Sequence, residues 1–379
     1  MKNHKAQVEV TFNWIYILIA GGIILLFFVG IVFKQKAVSE EALTGDVLRI
    51  METILTGAGL SEKTKNKVDI SGLSEYTLFF NCQEGVGEYG IKGQYRENAV
   101  DPIFSPREIK GSQLNLWSLP YHLPFKVIDF LILAPENTKY FLVGQSEFFD
   151  EFLEETEEDP NTKFRINREH LPDPWDLASA SPGKNFQVRI VDATGAALQD
   201  GVLVPPPLNG MEDDKVTGLS FVAENLVDFY QKKDGFWEKL NREPVSLVSL
   251  GGERDAAKYG AVFSDHPDVY QCNMNKAFRR LKYLNEIYGG VEISYGKEGG
   301  KLGEMIEYYQ QRPELALSRS CAGYLALDQD NLLTSLMSHQ NNVAACLLSA
   351  GLCPQLIVSA GQVQAANRNL IEGDCLTLY

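Results

Sequence analysis

Six cysteines carry the clearest chemistry in this 379-residue chain: Cys82, Cys272, Cys321, Cys346, Cys353 and Cys375. The number is even, and all six lie beyond the apolar segment near the N-terminus. Such a set fits disulfides formed in an oxidising compartment better than buried free thiols. At least two bonds are expected, one of them among the last four cysteines, and the connectivity stays open. Zinc is disfavoured, because no C-x-x-C pair occurs and Cys346 to Cys353 has the wrong spacing for a knuckle.

Other residue types are weaker. Ser181 and Lys184 match the S-x-x-K pattern of serine–lysine acyl transfer, which needs both side chains one helical turn apart. Pro182 and Gly183 between them oppose a helix, and no S-D-N or K-T-G follows. No G-x-S-x-G elbow is present. Gly251-Gly252 lacks a G-x-G-x-x-G context and a Walker lysine, so it reads as a tight turn. His4, His122, His170, His266 and His339 are scattered, with no H-E-x-x-H pair. The acidic stretch Glu147 to Asp159 alternates with Phe148, Phe149, Phe152 and Leu153. It reads as an amphipathic helix with a solvated face and has no EF-hand spacing. No catalytic residue, cofactor or metal is assigned from these patterns, and an enzymatic role is disfavoured.

The elements that position these residues begin with a run from Trp14 to Phe33 that contains no charge. At about 1.5 Å of rise per residue it crosses roughly 30 Å of hydrocarbon. Lys2, Lys5, Lys34 and Lys36 flank it. The run exceeds a secretory h-region and lacks an A-x-A site, so residues 1–36 are expected to be a tail and transmembrane anchor in a lipid bilayer. The short tail and the cysteines favour a cytoplasmic N-terminus and an extracytoplasmic main domain. Residues 1–36 carry a net +3 of the total −15, so the remaining chain carries −18. That balance excludes nucleic acid as a partner and opposes lying on anionic lipid.

Ahead of the anchor stands Lys5-Ala6-Gln7. A basic residue, a small residue and Gln before an apolar helix resemble the class III signal of archaeal type IV pilin-like proteins. The resemblance covers about the first tenth of the chain. It implies cleavage between Ala6 and Gln7, with the helix kept as anchor or filament core. It also implies partners that are copies of the chain or other pilin-like subunits. Glu9 is the early carboxylate such a filament would pair with a neighbour's amine.

Beyond the anchor, Leu43, Val47, Ile50 and Ile54 recur at helical spacing. Residues 37–60 are therefore expected to form a helical stalk, ended by Gly57 and Gly59. Residues 61–160 read as a small α+β domain, with strands at 76–80, 89–95, 127–133 and 140–143 ahead of the acidic helix. Residues 161–184 are rich in Pro, Asp and Ser and read as a linker or loop. In 185–379, strands at 188–191, 201–204, 216–221 and 245–250 alternate with helices at 223–232 and 253–258. Helices at 275–288, 303–310, 331–350 and 361–370 then make a helical, Cys-rich C-terminus. The expected fold class is α/β: an N-terminal transmembrane helix followed by a mixed α/β ectodomain with a helical C-terminal part. The expected role is a membrane-anchored extracytoplasmic structural or interaction protein, a pilin-like subunit or surface adhesin. The alternative is an anchored extracytoplasmic enzyme or solute-binding protein with a cleft at the strand C-terminal ends.

Overall fold

The computed structural model describes residues 51–52, 64–83, 85–93, 96–183, 187–252, 254–290, 299–327 and 331–379. Ala6, Gln7, the Trp14–Phe33 run and all of 37–60 except Met51 and Glu52 lie outside these residues. No helix among the described residues is long and apolar enough to cross a membrane.

Among the described residues, nine strands precede the first long helix: β1 (Lys65–Asp69), β2 (Leu78–Gln83), β3 (Val86–Ile91), β4 (Arg96–Ala99), β5 (Ile103–Phe104), β6 (Glu108–Ile109), β7 (Gln113–His122), β8 (Lys126–Pro135) and β9 (Thr138–Val143). One sheet runs β1-β7-β8-β5 and a second runs β4-β3-β2-β6. Successive strand side chains face opposite ways, and the long β7–β8 pair uses both faces. Leu114, Leu116, Leu131 and Leu133 meet Leu78, Phe80 and Ile91 of the second sheet. Trp117, Leu119, Tyr121, Phe130 and Ile132 point the other way, into the main core. This explains why 130–134 is apolar without alternation: neither side faces water. Met51 is buried in the same core as Leu78, so this residue lies against the ectodomain.

The third sheet crosses the expected domain boundary. β9, helix α1 (Glu147–Glu155) and β10 (Asn167–Leu171) form a parallel β-α-β unit. β11 (Gln187–Asp192) then pairs with the other side of β9, also parallel, and β12 (Val216–Ala223) extends it. β13 (Leu226–Lys233), β14 (Phe236–Lys239) and β15 (Val245–Ser246) complete it antiparallel. Hydrogen bonding thus links 138–143 with 187–239, and the expected linker 161–184 supplies the edge strand β10. The helix expected at 223–232 is a strand. Glu224 and Asn225 turn the chain, and Val227 and Phe229 reach one core while Tyr230 reaches another, a period of two.

Helix α1 starts where Ser146 accepts a hydrogen bond from the Phe149 amide (3.2 Å), with Glu147 and Asp150 at the positive end of the helix dipole. Its face is less solvated than expected. Glu151 accepts from the Tyr259 hydroxyl (2.8 Å), and Glu155 pairs with Lys65 and Arg254, both at 2.6 Å. Five helices of eight or more residues follow among the described residues: α2 (Ala256–Phe263), α3 (Pro267–Gly289), α4 (Gly300–Gln310), α5 (Leu332–Leu348) and α6 (Cys353–Glu372). The molecule is therefore a mixed α/β fold with a helical C-terminal part.

His339 on α5 is fully buried, with Nδ1 3.2 Å from the Ser359 hydroxyl of α6. Burial pushes its pKa from 6.5 down to about 4. The unfolded chain thus binds more protons between those values. The stabilisation is complete above pH 6.5 and is lost as pH falls towards 4, an effect of about 3 kcal/mol. Melting temperatures across this window should fall more steeply in the native protein than in His339→Gln; equal slopes would refute this.

Candidate functional site

A cavity of about 550 Å³ opens where the β2–β6 sheet meets the amino ends of β9, β11 and β12 and the carboxyl end of α2. Register explains its lining. Tyr140, Arg189 and Thr217 are directly paired across three adjacent parallel strands, so they share a face. Two residues earlier on the same face stand Thr138 and Gln187, with Lys215 just ahead of β12. Two residues later it becomes apolar, with Leu142, Val191 and Leu219 in the main core. The cavity is the polar amino end of an otherwise apolar surface.

Arg189 is its deepest charge, only 3% exposed. Its Nε donates to Val262 O (3.2 Å), Nη1 to Gly218 O (3.1 Å), and Nη2 to Ala261 O (3.2 Å) and Ser264 O. The guanidinium therefore caps the negative end of α2. Burial pulls its pKa to about 10, which leaves it charged at neutral pH. Burial likewise raises the Tyr140 phenol. Around the mouth, Lys92 pairs with Glu108 (2.6 Å), Lys215 with Glu212 (2.6 Å) and Arg107 with Asp265 (3.4 Å).

The enzyme or solute-binding alternative would place its cleft at the strand carboxyl ends, where β9 and β11 send the chain in opposite directions. That crevice is filled. Asp192 Oδ1 accepts from the Thr194 amide (2.8 Å) and hydroxyl (2.7 Å), and Oδ2 from the Ala197 (3.0 Å) and Leu198 (3.3 Å) amides. The loop so held presses the Thr194 methyl against Gly144, where an added Cβ would lie 2.5 Å from it. Gly144 also has a φ of +94°, so only glycine suits this strand exit.

A smaller cleft of about 220 Å³ brings together His122, Ser249 and Asp255, the residue types of a nucleophilic triad. Asp255 is committed as the cap of α2, its Oδ1 accepting from the Ala257 (3.0 Å) and Lys258 (3.2 Å) amides. Ser249 accepts from the Gly251 amide (3.0 Å). Gly251 and Gly252 precede that cap with φ of +75° and +105°.

All six cysteines are paired: Cys82–Cys272, Cys321–Cys375 and Cys346–Cys353. Three disulfides point to an oxidising compartment, as the even count implied. Ser181 receives Lys139 Nζ on its carbonyl (2.8 Å), while Lys184 lies outside the described residues. Among the described residues no group of His, Cys, Asp or Glu is arranged to hold a metal. Sequence reasoning missed the Tyr140–Arg189–Thr217 row. The available signal was an arginine inside the apolar stretch Val188-Arg189-Ile190-Val191. No family model, curated protein or solved structure matches the chain.

Proposed function

We propose that this is a membrane-anchored extracytoplasmic interaction protein, a pilin-like subunit or surface adhesin whose helical C-terminal part contacts partners. One observation carries this reading. Of nineteen large apolar side chains exposed among the described residues, twelve lie between Tyr283 and Tyr379. Isolated exposed apolar residues are ordinary, whereas concentrated ones mark contact surfaces. Tyr283 and Ile287, 64% and 63% exposed, stand one turn apart on the same face of α3. Leu348, 88% exposed, lies in the loop closed by Cys346–Cys353. Two of the three disulfides fall within this region, which supports a surface held in shape outside the cell.

Native protein purified in mild detergent tests the reading. We expect an assembly larger than one chain, a mature N-terminus at Gln7, and reversion to single chains on Tyr283→Lys with Ile287→Lys. A wild-type single chain overturns the association. An N-terminus at Met1 or Lys2 removes the pilin-like part and leaves an ordinary signal anchor. The polar cavity favours the solute-binding alternative and carries a separate inference.

A further inference from the structure

We propose that the cavity at the amino ends of β9, β11 and β12 binds a small organic anion, a carboxylate or phosphate ester that also bears an N–H or O–H group. The cavity volume of about 550 Å³ falls in the usual range for such ligands, about 300–1,000 Å³.

The donors come first. Tyr140 and Thr217 both line the cavity and are 1% and 8% exposed. As lining groups, their hydroxyls can donate to or accept from a ligand that displaces water from the cavity. Arg189 stands between them in the strand register. A guanidinium has five N–H groups, and four of Arg189's are spent on main-chain carbonyls. One Nη1 hydrogen remains, and Arg189 forms no ion pair among the described residues. This row thus offers two hydroxyls and one charged donor on a single face. Gln187 adds its amide nitrogen, since its Oε1 already faces Thr138 (3.3 Å).

Charge at the mouth points the same way. The lining contains five cations (Lys92, Arg107, Lys110, Arg189 and Lys215) and four carboxylates. Three ion pairs consume Lys92, Arg107 and Lys215. Arg189 and Lys110 remain, against Asp214 at the exposed edge. Asp265 supplies the second requirement. Its Oδ2 faces Arg107, while its Oδ1 is buried without a partner. A simple anion would be repelled there, whereas a ligand hydroxyl or amine would be accepted.

The lining residues lie between Thr77 and Asp265, and none belongs to the exposed apolar group from Tyr283 onward. The inference therefore stands or falls independently of the association surface. The test is calorimetric titration of the full-length protein in detergent with lactate, gluconate, inorganic phosphate and glycerol 3-phosphate, with chloride at matched ionic strength as control. We expect saturable binding of at least one probe, and the two chemical pairs separate carboxylate from phosphate recognition. Tyr140→Phe and Lys110→Ala should each weaken it about tenfold, the loss of one hydrogen bond to a charged group. Both variants should unfold cooperatively without probe, so that a loss of binding is read apart from a loss of folding. Failure of every probe to exceed chloride, or binding unchanged in both variants, overturns the proposal.

Discussion

Replacing Cys82 and Cys272 together by serine should lower the unfolding free energy by about 5 kcal/mol, the largest loss among the three bonds. The reason is the closed loop. Cys82 on β2 is tied to Cys272 on α3 across 190 residues, so the bond removes much of the unfolded chain's freedom. The same reasoning assigns about 4 kcal/mol to Cys321–Cys375, with a separation of 54, and about 2 kcal/mol to Cys346–Cys353, with a separation of 7. Denaturant unfolding of the three double variants checks the order. A Cys82/Cys272 variant no less stable than the Cys346/Cys353 variant would refute it.

Arg189→Met should cost about 3–5 kcal/mol. Two effects oppose each other. Methionine relieves the burial of a charge, and exchanging whole buried ion pairs for apolar residues is often neutral. Here, however, the partners are four fixed carbonyls, of Gly218, Ala261, Val262 and Ser264, which remain buried when the donor goes. Each buried acceptor left unpaired costs about 1–3 kcal/mol, so the loss dominates. Arg189→Lys should recover only part of it, because an ammonium cannot span the helix end and the neighbouring strand as a planar fork does. Midpoints of denaturant unfolding decide the matter, and a methionine variant as stable as the wild type would overturn this account.

Much of the fold was legible because its signals are local. The strands around Phe79, Ile132 and Phe141 and the helices around Phe278 and Leu336 were readable from apolar runs and periodicity. The cysteine count implied disulfides correctly, although geometry alone could select the pairs. The failures were non-local. Asn167–Leu171 reads as loop because an edge strand with polar side chains gains its order from β9, not from its own sequence. Residues 223–232 read as helix, whereas tertiary pairing overrides that local propensity and makes Leu226–Lys233 a strand. The site row was hidden for the same reason. Tyr140, Arg189 and Thr217 are far apart in sequence, and only the parallel register sets them side by side.

The Cys82–Cys272 bond also governs how the chain would respond to tension. A pull between the termini would pass through that bond and leave everything inside it slack. At about 3.3 Å per residue, roughly 600 Å of contour is withheld from extension. Cys321–Cys375 withholds roughly 180 Å more. The sheets, the Arg189 cap and the cavity lie largely within the shielded span. Under tension between the termini the stretch between Cys272 and Cys321 would lengthen, while the shielded part kept its shape.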